Sequence, residues 1–182
     1  GFLSVGTLDK PDGIDVKNGS VYVTHYQKGG TFSNNNRLVR DFQLTNGNFT
    51  DIVVFGTFTG ETPILSGLAV NGGVLWSVSG AADSSGYNLY KHNTSGTLIQ
   101  RYKVAYNASA PTATIINDVA VDTVTDLVYL ASPTTFSIIK YDDVTPSNTQ
   151  LLFSGTTNIN PVGLALDASG QVYATDSGTG KV

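Results

Sequence analysis

Two histidines, fourteen acidic residues and abundant asparagine, serine and threonine are the groups of this 182-residue chain that could do chemistry. Cysteine is absent, which removes thiol nucleophiles, cysteine metal knuckles and disulfide frameworks together. His25 ends one predicted strand and His92 falls in a turn between two others, so nothing in their spacing brings them together. A surface role is expected for each rather than a shared metal. The carboxylate pairs Asp142-Asp143 and Asp9 with Asp12 fall in turns, where solvated aspartate is the ordinary finding. There is neither a glycine-rich phosphate loop nor a nucleophile elbow.

Asparagine carries a clearer signature. Four N-x-Ser/Thr triplets occur, at Asn18-Gly19-Ser20, Asn48-Phe49-Thr50, Asn93-Thr94-Ser95 and Asn107-Ala108-Ser109. This is the acceptor pattern for N-linked glycans in a secreted protein. A chain so rich in Asn, Ser and Thr would produce about three such triplets from composition alone, so the weight rests on their placement in turns and outer connections. Charged residues make up 13% of the chain, well under the roughly 25% of an average globular protein. The surface is therefore built from hydroxyls and amides, and the expectation is an extracellular or cell-surface glycoprotein. Ten basic against fourteen acidic residues, a net charge of −4 and no Lys/Arg cluster give no footprint for nucleic acid or an anionic membrane. No stretch approaches the roughly 20 apolar residues of a spanning helix. The chain contains no methionine and begins with Gly1; a processed product or a segment of something longer is expected.

The elements that must position these groups are strands. Apolar and polar residues alternate in Ser20-Val21-Tyr22-Val23-Thr24, Leu127-Val128-Tyr129-Leu130 and Gln171-Val172-Tyr173-Ala174-Thr175. Turn signals such as Lys17-Asn18-Gly19, Asn46-Gly47, Asn71-Gly72-Gly73, Ser95-Gly96 and Ala168-Ser169-Gly170 separate them. No segment carries a helical stripe, and the fold class is all-β.

An internal repeat organises the chain. Four segments align as short inner strands: Pro11-Asp12-Gly13-Ile14-Asp15-Val16, Leu65-Ser66-Gly67-Leu68-Ala69-Val70, Ile116-Asn117-Asp118-Val119-Ala120-Val121 and Pro161-Val162-Gly163-Leu164-Ala165-Leu166. A second strand follows each with an aromatic at matching depth, Tyr22, Trp76, Tyr129 and Tyr173. Third strands are predicted at Arg37 to Leu44, Asn88 to Asn93 and Ser137 to Asp142, and fourth strands at Ile52 to Phe58, Leu98 to Ala105 and Leu151 to Gly155. A repeated four-stranded meander of this length matches a β-propeller blade. The single module of about four blades divides near 11–60, 61–110, 111–158, and 159–182 together with 1–10. Gly13, Gly67 and Gly163 answer crowding where inner strands converge on the channel, and the aromatics fill the gaps between blades.

Pro161 to Gly178 resembles an NHL repeat, with its proline, glycine, alternating apolar residues, Asp167-Ala168-Ser169-Gly170 turn and aromatic strand ending in Asp176. Pro11 to His25 is similar in the same order, whereas the two internal units lack the proline and the clean turn. The resemblance implies an NHL-like β-propeller. Such propellers usually have six blades, and this chain holds about four. The last unit stops after two strands at Lys181-Val182, and the first is preceded by an orphan strand, Gly1 to Leu8. One blade is thus expected to be split between the two ends. A self-sealed four-bladed ring, one portion of a longer propeller, and strand donation between subunits all satisfy that pattern, and each covers the sheet edges that proteins rarely leave bare.

Residues just before the inner strands, Asp12, Ser66, Asn117 and Val162, should converge at one mouth of the propeller. Pro11-Asp12-Gly13 also resembles the aspartate motif of the SMP-30/gluconolactonase propellers, and Asn117 matches their asparagine. That resemblance implies a divalent-cation site at Asp12 and Asn117, with calcium or magnesium as the oxygen-liking ion, and lactone hydrolysis. The family's glutamate has no counterpart, since Glu61 lies six residues before its inner strand, and Val162 offers no ligand. No cofactor is expected on the leading reading. That reading is a structural or adhesive propeller that assembles with copies of itself through its terminal strands, Gly1 to Leu8 pairing near Gln171 to Val182, into a fibre or surface array. The alternatives are a monomeric protein- or carbohydrate-binding propeller, with Trp76 and Tyr87 as sugar-stacking candidates, and the metal-dependent lactonase.

Overall fold

The computed structural model describes residues 11–26, 37–53, 65–79, 86–104, 115–145, 149–154 and 160–182. Every regular element among them is a β-strand. Strands β1 (Ile14–Lys17), β2 (Ser20–Tyr26), β3 (Arg37–Gln43) and β4 (Phe49–Val53) form one antiparallel meander. A second holds β5 (Leu65–Asn71), β6 (Val74–Ser79), β7 (Leu89–Asn93) and β8 (Leu98–Tyr102). The third holds β9 (Asp118–Val121), β10 (Val128–Ser132), β11 (Ser137–Tyr141) and β12 (Gln150–Ser154), and β13 (Pro161–Leu166) with β14 (Val172–Asp176) make a two-stranded fourth. The four sheets follow the four repeats; residues 1–10, expected to complete the fourth blade, lie outside the described residues.

Local chemistry sets the hairpins. Asn18 and Gly19 have φ of 52° and 79°, and Gly72 and Gly73 have 55° and 82°, the left-handed pairs that a two-residue turn needs to match strand twist. One strand departs from expectation: β4 begins at Phe49 rather than Ile52. A short turn is the reason, closed by Gly47 N–H on the Gln43 carbonyl (2.9 Å) and by Gln43 N–H on the Asn48 carbonyl (2.8 Å). The polar residues Thr50 and Asp51 hide the strand start from a reading based on apolar runs.

The register recovers the repeat residue by residue. Asp15 pairs with Tyr22, Ala69 with Trp76, Ala120 with Tyr129 and Ala165 with Tyr173. In the first three blades this pair faces the following blade, because strand residues alternate sides. The preceding and following apolar positions of the inner strand face back. Thus Tyr22 and Val39 of the first blade bury against Leu68, Val70 and Leu75 of the second. Ala69 and Trp76 of the second bury against Val119, Val128 and Leu130 of the third.

The inner strands stand side by side in the order β1, β5, β9, β13. They approach so closely that a Cβ on Gly13 would sit 2.9 Å from Leu68 N, and one on Gly67 would sit 2.6 Å from the Asp118 Cα. Crowding against the neighbouring strand explains both glycines, whereas at Gly163 the obstacle is Thr175 of its own blade.

His25 on β2 and His92 on β7 are buried, at 5% and 0% exposure, contrary to the surface role expected of them. His92 lies in the second blade, which has a neighbour on each side and is covered on both faces, so polar positions of the alternation are buried there as well as apolar ones; in the first blade Val23, Arg40 and Phe42 are buried on the same face as His25. Thr24, Ser77, Ser79, Asn88 and Ser132 are buried for the same reason. No helix among the described residues is long and apolar enough to cross a membrane.

Candidate functional site

Asp12, Ser66, Asn117 and Val162 line one cavity of about 460 Å³ with Gly13, Ile14, Asp118, Gly163 and Leu164. The residues predicted to meet at a propeller mouth do meet. Two of them sit where the inner strand breaks register, between Leu65 and Gly67 and between Pro161 and Gly163. Such bulges re-aim a side chain at the end of a strand. In the first and last blades a threonine on the second strand fixes the turn into the inner strand: Thr24 Oγ1 accepts the Gly13 N–H (2.6 Å) and Thr175 Oγ1 the Gly163 N–H (2.9 Å). These are the two units that resemble the NHL pattern most closely, and they share this bond.

Asp118 is the mouth residue that motif reading passed over. It occupies the place held by glycine in the other three blades. Its Oδ1 accepts the Val119 N–H (2.9 Å), and its Oδ2 reaches the next blade to accept the Leu164 N–H (2.7 Å). Burial pushes its carboxyl up to about 6, with the nearby charges of Asp12 and Asp15 adding to the rise and the two N–H donors opposing it. Asp15 makes the corresponding tie between the first two blades, its Oδ2 accepting the Val70 N–H (2.6 Å); burial raises its carboxyl too. Ser66 Oγ donates to the Ile116 carbonyl (2.7 Å) between the second and third. Polar ties near the axis therefore join all three blade pairs. Asp12 is exposed, and desolvation raises its carboxyl.

A cation at the mouth meets a short donor set. Asp12 and Asn117 share the cavity, but both Asp118 oxygens already accept backbone N–H groups, and Val162 has no donor atom. Among the described residues no three His, Cys, Asp or Glu side chains are placed to hold a metal ion, whereas calcium takes six to eight oxygens. Among the described residues, Asp12 and Asn117 side chains alone fall short of that number. Glu61 lies outside the described residues.

The remaining candidates are distributed over the blades. Asn18 and Asn48 are exposed in turns. Asn93 is half-buried, and its Oδ1 accepts from Ser95 N, Ser95 Oγ and Thr97 N (3.1, 2.7 and 2.8 Å). Asn107, like the orphan strand of residues 1–8, lies outside the described residues. Asp142 caps its turn through the N–H groups of Val144 and Thr145 (3.0 and 2.9 Å). Asp143 instead pairs with Lys91 Nζ at 2.6 Å and accepts the Tyr102 hydroxyl at 3.3 Å. Trp76, 3% exposed, stacks on Tyr102 between the second and third blades and lies under Lys91, so it is core and not a sugar platform. The Tyr87 ring carries the Arg101 guanidinium 4.1 Å from its centroid and Lys103 Nζ at 5.0 Å.

No protein-family model matches the chain, and no curated protein matches it in sequence. Solved structures do. A protein of unknown function from Bacteroides thetaiotaomicron VPI-5482 superposes over 93% of this chain and 42% of its own, with a TM-score of 0.61 and 15% identity. A chain of a nidogen/laminin complex matches over 92% of this chain and 57% of its own, at 0.60 and 17%. A streptogramin B lyase matches over 92% and 62%, at 0.55 and 12%. The chain is thus an all-β propeller of about four blades, and it spans from about two fifths to three fifths of these solved chains. At such identities the likeness speaks for fold, which hosts many functions.

Proposed function

We propose that this chain is a structural or adhesive β-propeller module, extracellular and N-glycosylated, that works by assembling through its blades into a fibre or surface array. One observation carries the reading: apolar residues of the first and fourth inner hairpins are exposed where their counterparts in the repeat are buried. Ile14 and Val16, whose counterparts Leu68 and Val70 are buried at 3% and 5%, are 65% and 56% exposed. At the other end Tyr173 is 43% exposed, where its counterparts Tyr22, Trp76 and Tyr129 are 8%, 3% and 7%. Apolar surface at a place the fold otherwise covers marks an interaction surface. The exposed triplets at Asn18 and Asn48 and the low charge support a glycosylated, extracellular setting. Sedimentation of the purified chain over a concentration series, followed by electron microscopy, tests the reading; a monomer at every concentration with no ordered assembly would refute it.

The mouth cavity favours a second reading, a propeller that binds a protein or carbohydrate ligand. Its exposed Asp12 carboxylate and the Asn117 amide supply an acceptor and paired donor and acceptor groups facing about 460 Å³ of space. Screening glycans and peptides against the chain and Asp12→Ala tests it. Binding that survives the substitution unchanged would move the ligand elsewhere.

A further inference from the structure

An antiparallel meander sends successive turns to opposite ends of its sheet, and the inner strands of this chain share one polarity. Asp12, Ser66, Asn117 and Val162 precede their inner strands and line the same mouth cavity, so each inner strand runs from the mouth toward the far end. The β1–β2 and β3–β4 turns of the first blade, and the β5–β6 and β7–β8 turns of the second, therefore lie opposite the mouth. Two bonds tie these turns side by side: Leu44 N–H donates to the Gly19 carbonyl (2.8 Å) and Thr94 N–H to the Gly73 carbonyl (3.1 Å). Asn18 and Asn48 stand in the two turns of the first blade, and Asn93 is the last residue of β7, at the head of a third turn. Asparagine is found at the mouth end too, at Asn88, Asn117 and Asn160, but none of these has Ser or Thr two positions on. Among the described residues the acceptor triplets thus belong to one end of the propeller; Asn107 lies outside them.

Resting on the glycosylated reading above, we propose that the end opposite the mouth is a glycan-clad face, with N-linked sugars on Asn18, Asn48 and Asn93, and that the mouth end is left as bare protein surface. Position decides where a sugar can be carried. Blades packed face to face leave no room on a middle strand, whereas a turn projects past the sheet into solvent. The three hydrogen bonds that hold Asn93 in its turn end on its Oδ1, and a sugar is attached through the amide nitrogen, so all three survive the modification. Leu44, 45% exposed, opens the β3–β4 turn and is bonded to the β1–β2 turn. Sugars on Asn18 and Asn48 would therefore flank it and shield an apolar side chain from water.

The chain has no cysteine, so a single introduced thiol reports one place. Leu44→Cys at the turn end and Thr134→Cys, exposed on the β10–β11 turn at the mouth end, test the proposal after expression in a glycosylating secretory host. Glycopeptide mapping reads occupancy, a bulky polyethylene-glycol maleimide reads access, and a small maleimide supplies the reference for thiol reactivity. Circular dichroism checks the fold of each variant. Mapping should find sugar at Asn18, Asn48 and Asn93. Enzymatic removal of the glycans should speed bulky labelling of Leu44→Cys several-fold and leave Thr134→Cys unchanged. Absence of sugar from all three asparagines would overturn the glycosylated reading itself. Occupied sites with no gain at Leu44→Cys, or an equal gain at Thr134→Cys, would overturn the one-face arrangement and leave glycosylation standing.

Discussion

Replacing Asp118 by asparagine should remove a pH dependence from the stability of the fold. In the native state burial and the charges of Asp12 and Asp15 hold this carboxyl at about 6, against its ordinary 3.8. A carboxyl raised on folding binds its proton more tightly in the native chain than in the unfolded one. Its contribution is therefore fully present below pH 3.8, falls as pH rises, and is gone above about 6. The gap corresponds to about 3 kcal/mol, at ~1.4 kcal/mol for each tenfold change in proton affinity. Asparagine keeps the shape and one acceptor oxygen but does not titrate.

Urea unfolding of both proteins at half-unit steps from pH 3.5 to 8 measures the difference, and shared carboxylates cancel between the curves. The variant should gain on the wild type by about 3 kcal/mol across the window, or a relative rise in Tm of about 6–12 °C for a chain of this size. Parallel curves would refute the assignment. A wild type that gains on the variant with rising pH would refute it more strongly, since the two N–H donors would then outweigh burial and carry the carboxyl below its ordinary value.

Trp76→Ala should cost about 3–5 kcal/mol in the same unfolding assay, the loss for emptying a packed indole site, whereas Tyr173→Ala should cost under about 1 kcal/mol because its ring is 43% exposed. Equal losses at the two positions would contradict the covered and uncovered faces. Expressed in a glycosylating secretory host, the chain should lose one glycan's mass with Asn18→Gln and another with Asn48→Gln; unchanged mass in either variant would exclude that site. Calcium added in millimolar amounts should leave the melting temperature of the purified chain within about 1 °C, given the short donor set at Asp12 and Asn117. A rise of several degrees that Asp12→Ala abolishes would overturn that assessment.

The blades were legible in sequence because their rules are local. Period-two alternation, a left-handed Asn-Gly turn and an aromatic opposite a small inner-strand residue are all read within some fifteen positions, and the register kept each pair. The mouth followed from the repeat, since aligned positions in a meander of blades must end at the same level. What escaped depends on contacts between distant segments. Asp118 looks like one polar residue among many until its carboxylate is seen on the N–H of Leu164, 46 positions away. The histidines read as surface groups because alternation in an isolated sheet would expose them. For His92, a blade covered on both sides removes that option. The one signal for Asp118 was in the alignment itself, where an aspartate stands in a column of glycines.

Three different columns of the repeat supply the polar ties between blades. Three blade pairs are tied near the axis by a side chain on backbone, through Asp15 to Val70, Ser66 to Ile116 and Asp118 to Leu164. Each tie is directional and fixes the angle at which the next blade sits, which apolar contact alone leaves loose. The fourth blade carries Val162, Gly163 and Ala165 in those positions, and none of these side chains can accept or donate.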